Sequence, residues 1–161
     1  MVALIRPVRA MTASTGASGS SSDAAMTLLY DGACPLCLRE VTFLRRRDQL
    51  LHPLAPRLDF VDVDAADYDP ASHAGISYRM AMGRIHGLMA DGTILRDVAV
   101  FRRAYALVGL GWLYAPTAWP GVRSLVDGAY GLWARWRLPI TGRPSLDQLC
   151  ACRDAASSSK S

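Results

Sequence analysis

Apolar positions first gather at Leu28, Leu29 and Tyr30, a run short enough for a buried strand, and Asp31-Gly32 breaks it in a tight turn. Past the turn the period becomes helical. Cys37, Val41 and Leu44 recur on one face, Leu36 and Phe43 widen it, and Arg39 and Glu40 fall on the polar side. Pro35, with its fixed φ and no N–H, suits the first helical position, so the spacing predicts a helix from the first thiol, Cys34, to about Asp48. Arg45, Arg46 and Arg47 close it at the negative end of the dipole. His52-Pro53-Leu54-Ala55-Pro56 ends the pattern, and Leu58 to Val63 reads as a second strand, parallel to the first, completing a βαβ unit.

Ser77 to Met82 predicts a short helix. Ile85 to Ala90 and Thr93 to Arg96 read as a hairpin around Asp91-Gly92, a pair that supplies two positive φ angles, with His86 on the solvent side. Val98 to Leu110 has helical spacing, with Val98, Phe101, Tyr105 and Val108 opposite Arg102 and Arg103. Ala104 to Val122 carries no charge, but Gly109, Gly111, Pro116 and Pro120 interrupt it. That argues against a membrane span and for a buried helix, a Pro-rich turn and an aromatic contact surface. Val122 to Arg137 repeats the amphipathic pattern through Leu125, Val126, Ala129, Leu132, Trp133 and Trp136. The tryptophans, 112 and 119 included, read as core; exposed together, they would mark a partner or membrane-surface site.

The chemistry lies in Cys34-Pro35-Leu36-Cys37. A sulfur at the first turn of a helix meets unpaired backbone N–H groups and the positive dipole end, both of which favour thiolate. Cys34 is therefore the candidate nucleophile, exposed at the turn. Cys37, one turn inside and pointing to the apolar face, is the candidate resolving thiol. Asp31 sits three residues before Cys34, placed either to accept backbone N–H bonds and shape the turn or to take a proton from Cys37. The competing reading is a non-catalytic module that uses Cys34 and Cys37 with Cys150 and Cys152, either around zinc or another soft metal or in protein interaction.

Tyr30-Asp31-Gly32-x-Cys34-Pro35-Leu36-Cys37 resembles the signature of the DCC family of thiol-disulfide oxidoreductases, also described as a domain of unknown function. The resemblance continues through Phe60-Val61-Asp62-Val63-Asp64 and His86-Gly87-Leu88, from about Met26 to about Gly142. It implies an α/β fold with a thioredoxin-like central sheet, βαβ followed by a β-hairpin, with packed helices and a helical C-terminal extension. It also carries Asp31, Cys34 and Cys37 as defining positions. Thioredoxin-like folds usually hold a cis-proline before the first hairpin strand. Here Met82-Gly83-Arg84-Ile85 stands in that place, leaving Arg84 or His86 to take over part of its role.

Composition narrows the picture further. In 161 residues, 51% of them hydrophobic, the chain can bury a core without disulfide staples. Its four cysteines fit a catalytic pair better than a secreted framework. The net charge of +4 rests on arginine, since Lys160 is the only lysine, and no nucleic-acid motif accompanies it. Asp62, Asp64, Asp67 and Asp69 miss the calcium-loop pattern, with Ala66 and Asp67 where a ligand and glycine belong, and read as a cap and solvated loop.

Three segments follow: a leader over 1–25, a core domain over 26–149 and a Cys-containing polar tail over 150–161. The leader, with Arg6 and Arg9 and no acid before Asp23, has the composition of a chloroplast or mitochondrial transit peptide; without that role the protein is cytoplasmic. Cys150-Ala151-Cys152 offers either a strained disulfide relaying to Cys34 or two incidental thiols. Thiol-disulfide exchange needs no cofactor. Its partners would be a disulfide-containing protein or a small-thiol substrate, with the thioredoxin or glutathione system as electron donor.

Overall fold

The computed structural model describes residues 24–158, so residues 1–23 of the leader lie outside the described residues. Strand β1 (Met26–Tyr30) leads through the Asp31-Gly32 turn into helix α1 (Pro35–Leu51) and back to β2 (Leu58–Asp62). β1 and β2 pair in parallel, Met26 opposite Leu58 and Tyr30 opposite Asp62. Helix α2 (Tyr78–Gly83), capped by the Ser77 side chain on the Met80 N–H, precedes β3 (His86–Met89) and β4 (Ile94–Arg96). The sheet order is β2-β1-β3-β4, with β3 antiparallel to both neighbours, which is the thioredoxin-like arrangement. Helices α3 (Val98–Leu107), α4 (Gly111–Tyr114), α5 (Pro120–Ile140) and α6 (Leu146–Ser158) complete the chain.

The alternation of β1 divides the core. Met26 and Leu28 pack with Val41 and Leu44 of α1 and Val100, Ala104 and Tyr105 of α3. Leu29 points the other way, to Ala81 and Met82 of α2, Leu138 of α5 and Leu149 of α6. Helices on both faces explain why β1 is apolar throughout. They also correct the placement of His86, which is buried. It pairs with Leu29, beneath the second helical layer, so β3 has no solvent face there.

The hairpin and the first helix also depart from expectation. Only Gly92 of Asp91-Gly92 has positive φ, at 84°. Ala90-Asp91-Gly92 forms a three-residue loop, closed by Gly92 N–H on the Met89 carbonyl and Met89 N–H on the Thr93 carbonyl. Helix α1 runs a turn past Asp48, so the three arginines do not end it. Asp48 is buried and accepts hydrogen bonds from the N–H groups of Arg57 and Leu58, both at 2.9 Å, while lying 2.9 Å from His52 Nδ1. Its carboxylate therefore fastens the end of α1 to the start of β2.

The tail is likewise built into the fold. A boundary at 149/150 would cut α6, where Arg153 donates to the carbonyls of Val63, Asp64 and Tyr68 and stacks over the Tyr78 ring. Trp112, Trp119, Trp133 and Trp136 are 41–71% exposed, so they are surface rather than core. From α5, Ala134 and Leu138 are buried instead.

Candidate active site

The turn between β1 and α1 is held from three directions. Asp31, buried at the end of the strand, accepts the Ala33 N–H at 3.0 Å, and its carbonyl accepts the Cys34 N–H at 3.1 Å. Asp62, at the end of the neighbouring strand, accepts the N–H groups of Gly32 at 2.9 Å and Asp64 at 2.8 Å through one oxygen. A Cβ at Gly32 would overlap that carboxylate, which is why glycine stands there. The third hold is Arg143, whose Nη2 donates to Asp31 Oδ1 at 3.2 Å and Asp64 Oδ2 at 2.9 Å.

Arg143 owes its place to the end of α5. Gly142, at φ 72°, takes the left-handed position, its N–H bonding the Pro139 carbonyl and the Arg143 N–H reaching back to Leu138. This close pins the guanidinium's backbone beside the turn. Burial works against the charge, but the carboxylates of Asp31 and Asp64 outweigh it and hold the Arg143 pKa above its ordinary value. The glycine stop before Pro144 was visible in sequence; its carboxylate partners were not.

Cys34 is the N-cap of α1, with Pro35 at the first helical position, as the pattern predicts. Its exposure reverses expectation. The Cys34 side chain is 1% exposed and Cys37 is the more accessible of the two. Both line a cavity of about 560 Å³, walled by Leu28, Tyr30, Val41, Ile85, Phe101, Tyr114, Tyr130 and Trp133. Phe101 of α3 stacks on Tyr114 of α4 at 6.4 Å and meets Tyr130 of α5 edge-on at 6.2 Å, so three helices roof the thiols with aromatic rings. This roof buries Cys34, and the spacing around the cysteines carries no sign of it.

Glu40 is the other surprise. Expected on the polar side of α1, it lines the same cavity, half-buried, with Oε1 buried and unpaired. Burial first, and then the hydrogen bond to Glu40, push the Tyr105 phenol above its ordinary range. Arg84, by contrast, is exposed and bound to Asp97 at 2.7 Å, and His86 Nδ1 lies 2.9 Å from the Arg84 carbonyl. Neither lines the cavity.

The metal reading needs four sulfurs to meet. Among the described residues no three His, Cys, Asp or Glu side chains converge into a metal site. Cys152 lines a separate cavity with Asp64, Tyr78, Arg143 and Arg153. Cys150 and Cys152, two residues apart on α6, point to opposite sides of the helix, so the internal disulfide weighed for them does not suit this geometry. Three of the four acidic residues from the end of β2 onward are used structurally: Asp62 and Asp64 hold the turn and Asp69 caps a 3-10 turn through Ala71 and Ser72. No helix among the described residues is long and apolar enough to cross a membrane.

A family model described as DCC1-like thiol-disulfide oxidoreductase matches residues 28–143. An uncharacterised chloroplastic protein of Arabidopsis thaliana is 41% identical over 126 residues, a span covering 78% of this chain and 57% of that protein. The chain thus matches less than two thirds of that relative's length. No solved structure matches the chain.

Proposed function

We infer, for a chain that belongs to the DCC1-like thiol-disulfide oxidoreductase family, that Cys34 and Cys37 carry out thiol-disulfide exchange. The observation that carries this reading is the pair itself: one thiol capping α1, the other one turn inside, both opening into a single cavity. The Cys34 thiolate attacks one sulfur of a substrate disulfide, forming a mixed disulfide and releasing the other sulfur as a thiolate that takes up a proton. Cys37 then attacks Cys34 Sγ, expels the second substrate thiolate and leaves the Cys34–Cys37 disulfide. Two electrons pass to the substrate, and a thiol donor restores the protein.

Asp31 serves in this reading as a positioning residue. Its carboxylate is engaged by the Ala33 N–H and Arg143, which fix the turn that presents Cys34. The test is a redox titration of the purified protein in glutathione and dithiothreitol buffers, with a Cys37→Ser variant to trap the intermediate. A reversible two-electron Cys34–Cys37 couple and a mixed disulfide on Cys34 are the expected results. Thiols that never pair across the titration would overturn the reading.

The composition of the leader and the chloroplastic relative support an organellar localisation. The leader acts as an organellar transit peptide, and residues 1–25 fused to a fluorescent protein should direct it to chloroplasts. A fusion that stays in the cytosol would remove this part.

A further inference from the structure

The geometry points to an uncharged, largely apolar disulfide of small-molecule size, bearing a neutral hydrogen-bond donor, as the substrate class of this pair; the inference rests on the exchange reaction above. Cys34 is 1% exposed, so the broad surface of a folded protein does not reach its sulfur. The way in is the cavity, whose volume of about 560 Å³ matches small-molecule sites. Its walls of Ile85, Phe101, Tyr114, Tyr130 and Trp133 reward apolar surface and leave the amides of a peptide strand short of partners. Two charged residues also line it: Arg39, which is exposed to solvent, and Glu40, which is half-buried and so the less screened of the two; Arg84 is bound to Asp97 and does not line it.

Glu40 sets the polarity of the ligand. Glu40 lines this cavity and its Oε1 is a buried acceptor without a partner, and its charge repels a carboxylate brought alongside. An amide N–H or a hydroxyl satisfies that oxygen; an acid does not. A 1,2-dithiolane on an alkyl amide has every required part. In the reaction Cys34 Sγ bonds to one ring sulfur as the ring S–S bond breaks, and the freed sulfur is protonated. Attack by Cys37 on Cys34 then releases the second ring sulfur, so the dithiolane leaves as a dithiol and the protein as a disulfide.

Lipoamide and lipoate, which differ only in amide against carboxylate, are the decisive probes. Pre-reduced full-length protein is mixed with lipoamide, lipoate, oxidised glutathione or insulin in single-turnover experiments, and the Cys34–Cys37 disulfide is followed by mass spectrometry. Lipoamide should react about tenfold faster or more than each of the others, and Glu40→Gln should bring lipoamide and lipoate to within about threefold. A second readout uses inert analogues on the unaltered protein: octanamide should protect Cys34 from iodoacetamide and octanoate should not. Equal rates for lipoate, glutathione disulfide or insulin, or equal protection by octanoate, overturn the substrate class while leaving exchange intact. If no disulfide, oxidised dithiothreitol included, joins Cys34 to Cys37, the exchange reading fails first.

Discussion

Arg143 Nη2 donates to Asp31 Oδ1 at 3.2 Å across 112 residues of chain, and so ties the end of α5 to the turn that carries Cys34. Asp31 is 1% exposed and Arg143 16%, so the pair is shielded from solvent. Removing the guanidinium leaves a buried carboxylate without a counter-charge, at a cost of about 3 kcal/mol. Arg143→Met should lower the urea midpoint accordingly. In the Asp31→Asn background the same change should cost distinctly less, because the charge left stranded is gone. Equal costs in both backgrounds would mean that the pair is not coupled.

Gly32 and Asp62 form a second dependency. A methyl group at Gly32 displaces the carboxylate that accepts the Gly32 and Asp64 N–H groups. Gly32→Ala should therefore destabilise by about 2 kcal/mol, the loss of buried hydrogen bonds plus local crowding. The added cost should shrink in an Asp62→Ala background, where the space is open. Chemical denaturation of the four proteins measures it, and an undiminished cost would trace the effect to backbone conformation instead.

His86 makes stability depend on pH. Burial, seconded by Arg96 and Arg84, pushes the imidazole below its ordinary value against the opposing pull of the Arg84 carbonyl and Asp97. The unfolded chain binds the proton near pH 6.5 while the folded chain resists it, so the unfolded state holds more protons in that window. Stability is fully present above about pH 6.5 and falls as the pH drops through the lower folded value. Urea midpoints measured from about pH 7.5 down to about pH 5 should show this slope, and His86→Asn should flatten it. A variant with an unchanged slope would assign the acid sensitivity to other groups.

Asp31→Asn separates shaping from proton transfer. Asparagine keeps an acceptor for the Ala33 N–H but loses the charge facing Arg143. Stability should fall by about 1–2 kcal/mol, while attack by Cys34 and resolution by Cys37 both change less than about tenfold. Stopped-flow measurement of the two steps is the check. Selective slowing of resolution by about tenfold or more, with mixed disulfide accumulating, would make Asp31 the proton acceptor.

Local signals carried much of this protein. The β1–turn–α1 unit, Pro35 at the first helical position, the parallel β2 and the Ser77-capped helix all follow from spacing and backbone chemistry within a few residues, and the structure has them. The motif Asp31-x-x-Cys34-x-x-Cys37 marked the family for the same reason, since its residues share one turn. What the sequence left undetermined depends on contacts between distant segments. Glu40 read as polar-face and Cys34 as exposed because the roof over them comes from Phe101, Tyr114, Tyr130 and Trp133 on three later helices. His86 read as solvent-facing because only the layer packed on the Leu29 side of the sheet buries it. Arg143 carried no mark of function, for a guanidinium gains its role from the carboxylates that the fold brings within reach, and those lie 112 and 79 residues away along the chain. Periodicity reports which way a residue points along its own element; packing alone decides what it meets there.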